Sequence, residues 1–125
     1  MNSPDKEFVY VALALLNQFF LNGGDSPPIE DVLNLRVLPQ IVSFLSDVVN
    51  TSSELEVRIV SLATEILLIV ATGNHEQTSC VVNAGAVPLL VANVLHPNSD
   101  IRVDVSFIFL LILFIVYYYI GKHCT

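Results

Sequence analysis

An internal repeat constrains the fold of this chain more strongly than any other feature of its sequence. Residues 24–42 align without gaps on residues 73–91, at an offset of 49 positions. Identical residues at matched positions include Gly24 and Gly73, Val32 and Val81, Asn34 and Asn83, and Pro39 and Pro88. A fixed period of about 40 to 50 residues carried by helical segments is typical of a solenoid, whose units bury their apolar faces on neighbouring units.

Helix start and stop signals predict two short helices and one long helix in each unit. Ser26 caps the first short helix, which opens at Pro27 and Pro28, and Pro39 opens the second. Residues 46–53, rich in Ser, Thr, Asn and Asp, follow as a loop, and a long helix over residues 54–72 ends at Gly73. The same order recurs at residues 76–84, 88–95 and 100–119, and another long helix precedes both units, with Pro4 at its first position and the turn at residues 22–24 as its end.

This organisation predicts a single all-α domain, a right-handed solenoid of about two and a half repeats. We assign residues 1–24 to a partial first repeat, 25–73 to a second, and 74–125 to a third whose last helix diverges and is unusually apolar. Solenoids usually need about three repeats for stability, so the length suggests a fragment or a truncated form. Arg36 stands where the later copy has Gly85.

The composition predicts that part of the surface meets another apolar body. Hydrophobic residues make up 54% of the chain and charged residues 14%, and the mean hydropathy is +0.68. A typical soluble domain has about a quarter charged residues. Either a protein partner or lipid is therefore expected to cover part of this surface.

The charge balance excludes nucleic acid as a partner and favours cationic ones. Twelve acidic residues against five basic ones give a net charge of −7, whose field repels phosphate and attracts a basic peptide. The acidic start of the chain has no secretory-signal pattern. Cys80 and Cys124 form no disulfide framework, so reduced thiols in the cytoplasm or nucleus are expected.

Several runs of residues carry a resemblance to a known family. They are VLPQIVSFL at residues 37–45, GNHEQT at 73–78, NAGAVP at 83–88 and HPNSDIR at 96–102. Over about residues 15–105 the chain resembles the first to third armadillo repeats of the importin alpha (karyopherin alpha) family. The resemblance implies an armadillo-repeat fold, protein binding, recognition of nuclear localisation signals in nuclear protein import, and residence in cytoplasm and nucleus.

The same resemblance implies a peptide groove, in which tryptophans hold lysine stems and asparagines bond the peptide backbone. The first Trp–Asn pair of the family falls on Glu65 and Ile69, or on Ser61 and Glu65 if the helix starts are aligned. The later pair falls on Phe107 and Leu111, and the aspartate that pairs with a lysine falls on Ile115. The sequence contains no tryptophan, so we expect a degraded groove that binds basic peptides weakly or not at all.

Two residues do match the family around its lysine pocket, namely Gly73 and Thr78. Their structural alternative is a helix end for the glycine and a first-turn residue for the threonine. The candidate peptide-binding residues are therefore Gly73, Thr78, Glu65 and Phe107. The basic segment through which the family binds importin beta is absent upstream, which argues against importin beta as a partner.

The apolar stretch at residues 105–120 leaves two interpretations open. As a helix it would span about 24 Å, short of the hydrocarbon core of about 30 Å, although Tyr117, Tyr119 and Lys122 resemble an interfacial belt. The alternative function is a tail-anchored membrane protein with a short armadillo-like cytosolic part. As the last helix of a repeat, the same stretch would expose an apolar face and promote self-association.

Catalytic and metal-binding patterns are weak. His75, His96, His123, Cys80 and Cys124 lack the ligand spacings of zinc sites, and no nucleophile motif accompanies the scattered Ser, His and Asp residues. Gly23 and Gly24 lack the strand and the glycine spacing of a phosphate loop. We therefore expect a protein that is not an enzyme, without cofactor or metal.

Overall fold

All regular secondary structure in the described residues is helical, which confirms the predicted all-α class. A computed structural model describes residues 5–46 and 53–123, with only the helical backbone for residues 119–123. The helices are α1 (Lys6–Asn22), α2 (Ile29–Asn34), α3 (Leu38–Ser43), α4 (Glu54–Ala71), α5 (His75–Asn83), α6 (Ala86–Asn93) and α7 (Ser99–His123). After α1, two short helices and one long helix occur in the same order twice.

The long helices lie side by side in a row with α4 in the middle. Helix α4 packs against α1 on one side and α7 on the other, while α3 and α5 also contact α4, and α5 and α6 contact α7. Lys6 of α1 forms an ion pair with Glu56 of α4. The core of α4 consists of the buried side chains Ile59, Val60, Ala63, Ile66, Leu67, Val70 and Ala71.

Several helices begin or end at residues other than those that the sequence predicts. Helix α1 begins after Asp5, whose carboxylate accepts a hydrogen bond from the Glu7 amide, and Pro4 lies outside the described residues. Pro28 rather than Ser26 precedes α2, and Thr72 rather than Gly73 caps the end of α4. The predicted loop at residues 46–53 lies mostly outside the described residues.

A capping box explains why α5 begins one residue earlier than predicted. The Asn74 side chain accepts a hydrogen bond from the Gln77 amide, and the Gln77 side chain accepts one from the Asn74 amide. This reciprocal pair satisfies two amides that the first turn of a helix leaves without partners. The sequence pattern alone predicts that this helix begins at Glu76.

The turns between the short helices of the two units share an unusual backbone conformation. Arg36 has a φ of 57° and Gly85 a φ of 86°. Both turns join the first short helix of a unit to the second, as the alignment of these two residues predicts. The left-handed region disfavours residues with a Cβ, so glycine suits it better than arginine does.

Helix α7 is longer than predicted and more apolar than the other long helices. It runs for 25 residues, and Ser99–Tyr118 is, within the described residues, a segment long and apolar enough to cross a bilayer by length and composition. One side of the segment is buried in the fold, through Ile101, Val105 and Ile108. The opposite side is exposed.

Candidate peptide-binding face

A series of polar side chains connects the three long helices across the row. The Asn17 side-chain amide of α1 donates a hydrogen bond to Glu65 Oε2 of α4, at 3.1 Å. The Thr64 hydroxyl of α4 lies 3.4 Å from Asp104 Oδ2 of α7 and 2.9 Å from the Ser61 carbonyl oxygen of its own helix, so these two acceptors share its one hydrogen. Glu65 and Asp104 are both half-buried. We refer to Asn17, Glu65 and Asp104 as the polar row.

The carboxyl groups of the polar row lie in an unfavourable electrostatic environment. Burial raises the pKa of Glu65, and the nearby negative charge of Asp104 raises it further, against the opposing effect of the Asn17 hydrogen bond. Burial also raises the pKa of Asp104, with a smaller contribution from Asp100 and an opposing one from the Thr64 hydroxyl. A cation placed between Glu65 and Asp104 would relieve this repulsion.

Lys6, Arg58 and Arg102 make their polar contacts away from the polar row. Lys6 pairs with Glu56, and Arg58 pairs with Glu54 one helical turn away. The Arg102 guanidinium donates hydrogen bonds to the carbonyl oxygens of His96 and Pro97 at the turn before α7. Within residues 5–46 and 53–118, no salt bridge includes Glu65 or Asp104.

Thr78, a candidate site residue, is a buried contact between α5 and α4. Its side chain is 2% exposed. The hydroxyl lies 2.7 Å from the Ala71 carbonyl oxygen at the end of α4 and 3.1 Å from the Asn74 carbonyl oxygen. Its hydrogen is therefore committed to the protein's own backbone, and the residue holds the start of α5 against the end of α4.

Gly73, the other residue matched to the lysine pocket, lies at the same corner, where a side chain would be crowded unless Gln77 moved. A Cβ at this position would lie 2.1 Å from Gln77 Oε1 and 3.1 Å from Ile29 Cδ1. Gln77 in turn donates to Glu30 of α2 through its side-chain amide, at 3.0 Å. Gly73 and Thr78 thus form a corner at which α2, α4 and α5 meet.

Phe107 is exposed and lies on α7 one turn beyond Asp104. Its side chain is 53% exposed and borders a hollow of about 350 Å³ next to Val94, Arg102 and Leu110. The other aligned groove positions are less accessible. Ser61, Ile69 and Leu111 are half-buried, and Ile115 is buried. The described contacts do not bring Gly73, Thr78, Glu65 and Phe107 together at one point.

Helices α5 and α7 share an aromatic contact that the sequence patterns do not predict. The His75 ring at the start of α5 lies 4.7 Å from the Tyr118 ring and 6.4 Å from the Phe114 ring, centroid to centroid. Phe107, Phe114 and Tyr118 follow at spacings of seven and four residues, which lie along one side of a helix. That spacing was visible in the sequence, but the approach of His75 depends on how α5 packs on α7.

The sequence of this chain is similar to those of importin alpha subunits. The chain is 35% identical over 77 residues to importin subunit alpha-1b of Oryza sativa subsp. japonica. The aligned residues make up 62% of this chain and 13% of that protein. It is 34% identical over 100 residues to importin subunit alpha-6 of Arabidopsis thaliana. Here the aligned residues make up 80% of this chain and 17% of that protein. The importin-alpha-like relationship is thereby confirmed over a short region.

Importin subunit alpha-2 of Arabidopsis thaliana is a further relative, 34% identical over 77 residues. The chain spans less than a fifth of the length of each of these three importin alpha subunits. No protein-family model matches the sequence. The similarity therefore concerns part of this chain and a short part of each importin alpha subunit, not the whole length of one.

Proposed function

We propose that this chain is an armadillo-type protein-binding module that contacts an extended basic peptide through the face formed by α1, α4 and α7. In this proposal the helices are two and a half repeats of a right-handed solenoid, and the process served is nuclear protein import, in cytoplasm and nucleus. The observation that carries the proposal is the line of polar contacts across the three long helices, from Asn17 to Glu65 and from Thr64 to Asp104. The similarity to importin alpha subunits supports it.

The polar row supplies both kinds of group that a basic peptide needs. The carboxylates of Glu65 and Asp104 attract a lysine or arginine side chain, and the Asn17 amide can turn from Glu65 to the peptide backbone. Because burial and mutual repulsion already disfavour these charges, a bound cation gains more here than at a fully exposed carboxylate. Gly73 and Thr78 support the face from the corner of α2, α4 and α5.

We expect this binding to be weak. The sequence has no tryptophan to enclose a lysine stem, and each lost cation–aromatic contact removes about 0.5 to 2 kcal/mol. Phe107 offers one ring, and exposed ion pairs add only about 0 to 1 kcal/mol. Since about 1.4 kcal/mol changes a dissociation constant tenfold, we propose an affinity weaker than about micromolar.

A peptide titration tests the proposal. A lysine-rich peptide is titrated into the full chain at physiological salt and compared with a peptide of the same length in which each lysine is replaced by glutamine. The variants are Glu65→Gln and Asp104→Asn, and the matched control is Glu76→Gln, an exposed position on α5. Loss of binding in Glu65→Gln and Asp104→Asn, but not in Glu76→Gln, supports the proposal.

Two results would contradict the proposed groove. Equal binding of both peptides would show that charge on the peptide is not recognised. Binding tighter than about micromolar that persists at high salt and is lost in Gly73→Ala and Thr78→Val would show a working groove at the corner instead, since surface ion pairs fade with salt.

A second candidate function, the tail-anchored membrane protein, rests on Ser99–Tyr118 of α7. Insertion of this segment would remove α7 from the fold and would uncover the apolar residues of α4 that now pack against it. Only 22% of the most apolar part of this segment is buried in the fold, so its insertion would remove only part of the α7 surface from protein contacts. Release of the protein from cell membranes by alkaline carbonate would exclude this function.

A further inference from the structure

The connection between α6 and α7 is built from side-chain hydrogen bonds, and we call residues 96–102 the α7 junction. Nδ1 of the His96 ring accepts a hydrogen bond from the Asn98 amide, at 3.0 Å. The Asn98 side-chain oxygen in turn accepts from the amides of Asp100 and Ile101, at 2.9 and 3.2 Å. These two amides belong to the first turn of α7, which leaves them without partners within the helix. The His96 ring therefore fixes the residue that caps α7.

Arg102 closes the α7 junction from the helix side. Its guanidinium donates to the carbonyl oxygens of His96 and Pro97, at 2.8 and 2.9 Å. Ile101, which precedes Arg102, is fully buried in the hydrophobic core. The junction is thus tied at both ends by hydrogen bonds, and the burial of Ile101 opposes its opening.

The hydrogen bond at Nδ1 requires a neutral His96 ring. Nδ1 can accept from the Asn98 amide only while it carries no hydrogen, so the hydrogen of the neutral ring lies on Nε2. Protonation of the ring places a hydrogen on Nδ1, which then faces the hydrogen of the Asn98 amide instead of accepting it. A single proton therefore turns the contact that fixes Asn98 into a repulsion.

The surroundings of His96 disfavour an added positive charge. The residue is 2% exposed, and no group of the described part of the chain accepts a hydrogen bond from Nε2. Burial lowers the pKa of His96 from its ordinary value of 6.5, and the positive charge of Arg102 lowers this pKa further. When the junction is open and the ring meets water, both effects weaken and the ring takes up a proton more readily.

The charged groups on the neighbouring helices have other partners. Helix α6 and residues 38–46, whose Leu45 carbonyl oxygen accepts from Asn93 of α6, carry no charged or histidine side chain. The charged side chains of α4 have these partners: Glu54 with Arg58, Glu56 with Lys6, and Glu65 with Asn17. Asp100 and Asp104 are the acidic residues of α7, and neither forms a salt bridge with His96.

We propose that the α7 junction is a pH-sensitive switch in which protonation of His96 releases the Asn98 amide and opens the first turn of α7. As the pH falls below about 6.5, the open junction binds a proton more readily than the closed one, so the open state gains population. Because one proton is involved, the opening equilibrium rises by up to about tenfold per pH unit, until the closed state is itself protonated. Opening exposes Ile101, while the middle of α7 stays packed against α4.

Amide hydrogen exchange, resolved by NMR and corrected for its intrinsic pH dependence, tests the switch in the full chain. The wild type is compared with His96→Asn, in which an oxygen can accept from the Asn98 amide without titrating. His75→Asn removes another titrating ring, on α5, and is the matched control. Below about pH 6.5 we expect the opening equilibrium of the Asp100 and Ile101 amides to rise by about three- to tenfold per pH unit in the wild type and the control.

The His96→Asn variant should show no such rise, and the amides in the middle of α4 should change less than those of the junction. Nitrogen-15 NMR of labelled histidine examines the ring in the wild type, so the test does not depend on the folding of a variant. We expect the hydrogen of the neutral His96 ring on Nε2.

Four results would overturn the proposal. The first is a neutral His96 ring with its hydrogen on Nδ1. The second is a junction whose opening does not change with pH, and the third is a pH-dependent opening that His96→Asn retains. The fourth is an equal rise for the junction amides and the α4 amides of the wild type, which would show that acid acts on the whole fold rather than on the junction.

Discussion

Arg36 and Gly85 occupy matched turns of the two units and share a left-handed backbone, with φ values of 57° and 86°. Glycine accepts this conformation freely, whereas any residue with a Cβ is strained there by about 1 to 2 kcal/mol. The first unit therefore carries a strain at Arg36 that the second unit avoids. The same replacement at the two positions should have different effects.

We predict that Gly85→Ala lowers the free energy of unfolding by about 1 kcal/mol or more, because it introduces a Cβ at positive φ. Arg36→Ala should change it little, because both residues bear a Cβ in the same conformation. Urea unfolding of the two variants, monitored by circular dichroism, gives the comparison. Equal losses in both variants would show that contacts of the side chains, not the backbone, decide these positions.

Thr78→Val should destabilise the chain by about 1 to 3 kcal/mol, because the nearly isosteric valine leaves the Ala71 carbonyl oxygen without its buried donor. Thr78→Ser keeps a hydroxyl and should lose less. Ser79→Ala provides a control, since Ser79 donates to His75 within its own helix. Thermal unfolding of the three variants measures the order, and a Val variant as stable as the Ser variant would contradict the role of the hydroxyl.

Gly73→Ala should be destabilising mainly through Gln77, whose Oε1 would lie 2.1 Å from the new Cβ. In a Gln77→Ala background the same change should cost less, although Ile29 Cδ1 at 3.1 Å remains a close neighbour. A double-mutant cycle in urea measures this coupling. Additive effects of the two changes would indicate that Gln77 moves aside without cost.

His96 should make the fold sensitive to mild acid. It is 2% exposed, its Nδ1 accepts a hydrogen bond from the Asn98 amide at 3.0 Å, and burial, with a smaller effect of Arg102, lowers the pKa of the imidazole below 6.5. The unfolded chain then binds more protons than the folded one as pH falls below about 6.5, so stability decreases with decreasing pH.

His96→Asn offers the test, because an Asn oxygen can accept from the Asn98 amide without titrating. The free energy of unfolding of the wild type should decline between pH 6.5 and the lower pKa of the folded state, and the variant should decline less in that interval. Identical pH profiles above the range of the carboxyl groups would rule out His96 as the cause.

Glu65→Gln should stabilise the fold at neutral pH while weakening the proposed peptide binding. The pKa of Glu65 is raised from 4.5, so the folded state disfavours its charged form, and stability declines as pH rises through this region. The gain of the variant should therefore disappear as pH falls below about 4.5 and the wild-type carboxyl becomes protonated. A stabilised variant with unchanged peptide binding would separate Glu65 from the binding face.

The sequence predicts the framework because its signals are local. Proline near the helix starts and the apolar spacing of residues 54–71 depend on neighbours within a few positions, and Arg36 opposite Gly85 follows from the alignment alone. The importin alpha resemblance likewise rests on contiguous runs such as GNHEQT. These predictions need no knowledge of packing.

The candidate site was less predictable because its contacts are distant in sequence. Asn17 and Glu65 are 48 positions apart, and Thr64 and Asp104 are 40 apart, so their approach depends on the rotation of each long helix in the row. The sequence predicts Gly73 as a helix end, which would suit a left-handed φ, but its φ is not left-handed. The close approach of Gln77 to this position favours glycine there instead. The resemblance implies the residues of the groove, but it does not predict that Thr78 joins the start of α5 to the end of α4.

Enclosure of α4 between α1 and α7 also determines when this chain can fold during synthesis. The buried side chains of α4 gain their final neighbours only after α7 has left the ribosome, about fifty residues later along the chain. Until then the nascent chain exposes the middle of its future core, which is a natural substrate for chaperones that bind apolar segments. The core around α4 is therefore complete only when α7 packs against it. A delay in translation after residue 71 would prolong the exposure of the apolar side chains of α4.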